Sequence, residues 1–90
     1  MTDRKLRDTL QLYCRELHVR GHAPIENVGD LPDENRRLNH CYWCCHQAMR
    51  FIGDQTDKAH RWLGYVQGVL HAFHIFSLAE LREHSREGPR

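Results

Sequence analysis

The sequence predicts an all-α fold: a small helical bundle built from an antiparallel helical hairpin, an N-terminal helix and a short C-terminal helix. Three observations predict it. Apolar residues recur at helical spacing in three long segments, capping and stopping residues punctuate the chain between them, and no stretch alternates apolar with polar as a strand would. At 90 residues the chain is a single domain.

The first helix spans 1–20. Thr2 or Asp3 supplies its N-cap, and Leu6, Leu10, Tyr13 and Leu17 repeat at 4-3-4 spacing beside Cys14, giving one narrow apolar stripe. Arg4, Lys5, Arg7, Asp8, Arg15 and Glu16 fill the solvated remainder, and Gly21 ends the helix. Residues 21–33 carry Pro24, Gly29 and Pro32 and no usable period, so they form a loop, with Ile25, Val28 and Leu31 expected to pin it across the bundle.

The hairpin spans 34–53 and 57–74. Asp33 caps its first arm, in which Leu38, Cys41, Tyr42, Cys45, Ala48, Met49 and Ile52 share one sector of the helical wheel. His40, Trp43, Cys44 and Phe51 form a weaker group opposite, so this arm is either the centre of the bundle or one flank of an interface. Gly53 and D-Q-T-D make the turn, with Thr56 or Asp57 as the next cap. The second arm is the segment the rest is organised around: Ala59, Trp62, Leu63, Val66, Val69, Leu70 and Phe73 fall on one face. Against them lies a stripe nearly bare of bulk, His60, Gly64, Gln67, Gly68 and His71. A last helix spans 77–85, opened by the capping box Ser77-x-x-Glu80 with Leu78 and Leu81 pointing inward. His84 to Arg90 reads as a polar, frayed tail.

Composition narrows the function. A formal net charge of +1 predicts no strong field and argues against a dedicated nucleic-acid binder. There is no apolar run of roughly 18 residues and no signal peptide in M-T-D-R-K, which points to a cytoplasmic protein without membrane partners. There the four cysteines are reduced thiols or metal ligands. The eight histidines would raise the charge steeply below about pH 6.5 if several titrated together.

Four constellations bear on chemistry. Gly64-x-x-x-Gly68 costs helix stability, which a closely approaching backbone would offset. The expected neighbour is helix one of the same chain, with a second subunit or a protein target as alternatives. The interface candidates are His60, Gly64, Gln67, Gly68 and His71, with Trp43 and Phe51 on the second side of the first arm. A nucleotide or phosphate alternative uses Arg36, Arg37, Arg50, Lys58 and Arg61, with Trp62 and Tyr65 for stacking. A zinc alternative draws on Cys41, Cys44, His71 and His74, although their wheel positions diverge, and no cofactor is expected otherwise. Pairing Cys44 with His40 or His46, or Cys14 with His18, lacks any signalled oxyanion hole or orienting group, so no enzyme is expected.

The pieces R-L-N-H-C (37–41), K-A-H-R-W-L-G-Y-V-Q-G-V-L (58–70) and S-L-A-E-L-R-E-H-S (77–85) resemble a group of small helical proteins encoded by tailed phages and prophages of Gram-negative bacteria. Tyr65 stands where that group has Phe, and His71 where it has Trp; residues 1–36 lie outside the likeness. The resemblance implies a phage accessory protein expressed in the host cytoplasm, where it would bind and block a host or anti-phage defence component. A homodimer or a complex with such a target is expected.

Overall fold

Three of the four helices begin where a short polar side chain takes over an orphan backbone N–H. The computed structural model describes residues 1–86 and is all-helical over them, in the order α1 Asp3–Val19, α2 Glu34–Phe51, α3 Thr56–Ala72 and α4 Leu78–Ser85. Thr2 accepts from the Lys5 N–H at 3.0 Å and Asp33 from the Arg36 N–H at 2.8 Å. Ser77 accepts from the Glu80 N–H while Glu80 accepts from the Ser77 N–H, so the capping box is complete.

The third start differs from expectation. Gln55 occupies the N-cap of α3 without a side-chain cap bond, and Thr56 lies inside the helix, its hydroxyl turned back to accept the Gly53 N–H at 3.0 Å. Thr56 therefore ties down the tight turn between the arms. Gly53 takes a φ of +104° there, a conformation that a Cβ disfavours.

Two helices end in the same way. After α1, the His22 N–H bonds Leu17 O and the Gly21 N–H bonds His18 O, with Gly21 left-handed at φ +90°. After α3, Ile75 bonds Leu70 O and His74 bonds His71 O in the same Schellman pattern. Here the left-handed position holds His74, at φ +61°, in place of glycine. This corrects the expected helix over 57–74: it stops at Ala72, so His71 and His74 are not an i, i+3 pair on one helix.

The core follows the apolar stripes. Leu6, Leu10, Tyr13 and Leu17 are wholly buried, and Cys14 joins them. Leu38, Cys41, Cys45 and Ala48 meet them from α2, and Ala59, Leu63, Val66 and Leu70 from α3. Tyr42, Met49 and Ile52, expected in the α2 core, are half-buried, as are Trp62 and Val69 on α3 and Phe73 just after it. Cys44, read as belonging to the opposite side, is buried because α3 covers it. α2 is the central element, packed along α3 on one side and α1 on the other, while α4 touches α3 over a short length.

Two apolar expectations fail on packing. Of the three loop residues expected to pin it, Ile25 and Val28 are half-buried while Leu31 is 97% exposed, and polar bonds hold the loop beside them. Asn39 accepts from Ala23 N–H through its side chain and from Ile25 N–H through its carbonyl; Arg36 donates to Val28 O and Asn27 O, and Arg37 to Pro32 O. Leu78 is half-exposed, since the first turn of α4 overhangs an open groove while Leu81 inserts. Of the expected tail, His84 and Ser85 are docked on the bundle, and residues 87–90 lie outside the described residues. Among the described residues, no helix is long and apolar enough to cross a membrane.

Candidate binding faces on the third helix

The outward face of α3 carries Arg61, Gly64, Tyr65, Gly68 and Ala72, all exposed. A Cβ added at Gly64 or Gly68 would meet nothing within 4 Å. The expected close approach of α1 to these glycines does not occur, because α1 packs chiefly on α2. Of their expected companions, His71 is exposed and His60 half-buried, while Gln67 turns into the bundle. Each flank of the bare ridge is a cleft of about 300 Å³.

The first cleft lies between α2 and α3 and is lined by His40, Trp43, Cys44, Arg61, Trp62 and Tyr65. The antiparallel register makes it: His40 and Trp43, one turn apart on α2, face Tyr65 and Trp62, one turn apart on α3. His40 stacks on Trp43 at 5.5 Å and 18°, Trp43 meets Trp62 at 6.0 Å, and His40 meets Tyr65 edge-on at 6.5 Å. Phe51 continues the seam, T-shaped against Trp62 at 5.2 Å, with the Lys58 ammonium 4.4 Å from its ring centroid. Trp43 and Phe51 therefore belong to the α2–α3 seam; they do not form a free second side of α2. The floor is Cys44, whose Sγ lies 3.5 Å from His40 Nε2; burial pushes this thiol up to about 12, so it stays protonated at neutral pH. Burial likewise raises Tyr65, while the charge of Arg37 pulls it back.

The second cleft lies between α3 and α4, lined by Gln67, Gly68, His71, Leu78, Leu81, Arg82 and Ser85. Its inner wall is a polar hub that periodicity could not show. Gln67 Nε2 donates to Tyr13 Oη at 2.9 Å and to Ser85 Oγ at 3.1 Å, and Tyr13 Oη lies 3.0 Å from His84 Nδ1. The tyrosine hydroxyl thus accepts from Gln67 and shares a second hydrogen bond with the His84 ring. Burial drives Tyr13 up to about 12, which keeps it a donor, and lowers His84 from the usual imidazole value. Glu80 and Glu83 on α4 oppose the fall at His84, and Lys5 on α1 adds to it.

That shift has a sign. A depressed His84 binds fewer protons folded than unfolded, so its contribution is complete above about pH 6.5 and is lost as pH falls through the folded value. The wild-type melting temperature should drop on acidification in this range more than that of His84→Gln, which cannot titrate. Parallel pH profiles from thermal melts followed by circular dichroism would show otherwise.

The remaining candidates separate. Cys41 points at Val66 O, 3.8 Å away, while His71 and His74 are exposed on the α4 side, so the structure does not bring the zinc alternative together. Among the described residues, no three His, Cys, Asp or Glu side chains are gathered to hold a metal. Cys45 sits wholly buried beside Cys14 and Cys41, and these neighbouring thiols together with burial raise its pKa well above the usual thiol value. Of the cations offered for phosphate, Arg36 and Arg37 are engaged with loop carbonyls, Lys58 lies over Phe51, and Arg50 and Arg61 are exposed. No known protein family, curated protein or solved structure matches the chain.

Proposed function

We propose that the protein is a non-catalytic binding protein that works by docking a helix of a partner protein along the outward face of α3. The observation that carries this reading is the pair Gly64 and Gly68. Each costs about 1 kcal/mol relative to alanine in a helix, and neither is needed by the chain's own packing, since a Cβ at either position meets nothing. A ridge without side chains lets a second backbone approach closely, and the clefts on its two flanks receive that partner's side chains. A second copy of the chain satisfies the geometry, because a two-fold axis would lay one glycine ridge on another. The likeness to small phage proteins makes a host or anti-phage defence component the expected target.

The test is the double variant Gly64→Leu, Gly68→Leu. Because both sites are helical and open, the variant should keep its helical spectrum and melt no lower than wild type. It should lose self-association in native mass spectrometry and lose its target in pull-downs from host lysate. Retention of both associations by the double leucine protein would sink the proposal, as would a wild type that is monomeric and binds nothing.

A further inference from the structure

The cleft between α2 and α3, one of the two that flank the glycine ridge, has a chemistry of its own beyond receiving a partner's side chains. Four aromatic side chains, His40, Trp43, Trp62 and Tyr65, touch in sequence around its walls, and Cys44 closes its floor. Arg61 is the charged group on its lining, and among the described residues no carboxylate lines it. Arg61 is exposed and has no ion-pair partner among the described residues. Such a site favours a flat ring between the aromatic walls, through stacking, and an anionic group beside the guanidinium. Its volume of about 300 Å³ is at the lower end of small-molecule pockets, which suits a bound ring system whose sugar and anionic group extend to the mouth, where Arg61 is exposed.

From this geometry we infer that the α2–α3 cleft binds a purine nucleoside monophosphate, with the base between Trp43, Trp62 and Tyr65 and the phosphate on Arg61. The balanced charge of the chain fits this better than a nucleic-acid polymer, which would need a continuous basic face. The ligand would be bound as a compact molecule at one seam, and no reaction is involved.

The chain supplies its own reporter, since its two tryptophans both line the cleft. Their indole N–H signals in a proton–nitrogen correlation spectrum of the full chain should both shift, saturably, on titration with adenosine monophosphate. Adenosine should move the same two signals with roughly tenfold weaker affinity, and inorganic phosphate alone should move neither. Arg61→Gln, at an exposed position where the fold has nothing to lose, should reduce the affinity for adenosine monophosphate to that for adenosine. The inference is overturned if adenosine monophosphate at millimolar concentration moves neither indole signal. It is equally overturned if Arg61→Gln binds adenosine monophosphate as tightly as wild type. Because the readout is local to the cleft and needs no partner, its failure would leave the docking proposal standing.

Discussion

Tyr13→Ala is expected to cost about 3–5 kcal/mol, a large part of the roughly 5–15 kcal/mol that holds a domain of this size. Tyr13 is wholly buried at the one place where α1, α3 and α4 meet, with its ring 5.6 Å from that of Phe76 and its hydroxyl between Gln67 and His84. Removing the ring opens a cavity and strands two polar side chains together. Tyr13→Phe separates these effects: it keeps the ring and removes only the oxygen, leaving the Gln67 amide and His84 Nδ1 short of a partner. That should cost about 1–3 kcal/mol, concentrated where α4 is attached, because the hydroxyl is one of the polar links between α4 and the bundle, beside the buried Leu81 and a short contact with α3. Urea unfolding gives the global cost, and hydrogen exchange in residues 78–85 gives the local one. If Tyr13→Phe matches wild type in both, the hydroxyl does not fasten α4.

That hub marks the boundary of what the sequence could tell. Three helix starts were legible because their causes are local: Thr2, Asp33 and the Ser77–Glu80 pair each act within one turn, and the structure has all of them. The α1 stripe was legible for a similar reason, since Leu6, Leu10, Tyr13 and Leu17 share one face whatever that face packs on. Where a partner decides the outcome, the sequence misled. Cys44 falls in the weaker group opposite the main core stripe until α3 covers it, and Trp43 and Phe51 look free until the hairpin register sets them against Trp62. Gln67 and His84 are 17 residues apart and on different helices, so no spacing rule joins them through Tyr13. The glycine ridge was found from sequence alone, but its bareness could be established only by seeing that α1 packs elsewhere. His74 misled for another reason: the left-handed residue of a Schellman stop is usually glycine, and without one the helix appeared to continue.

Two leucines show how far position outweighs residue type. Leu70→Ala should cost about 2–5 kcal/mol, because Leu70 is fully buried and α3 contributes it to the layer shared with α1 and α2. In addition, the carbonyl of Leu70 accepts the Ile75 N–H that stops α3, so slackening there would loosen the turn leading into α4. Leu31→Ala should change stability by no more than about 0.5 kcal/mol, since Leu31 is 97% exposed and the loop around it is held by Arg36, Arg37 and Asn39. Cutting those polar ties should therefore loosen the loop more than removing its exposed leucine, so Asn39→Ala is the sharper probe of residues 21–33. Denaturant midpoints for the three variants decide the matter. A Leu31→Ala loss approaching that of Leu70→Ala would mean that the loop buries its leucine in solution and that the polar ties are secondary.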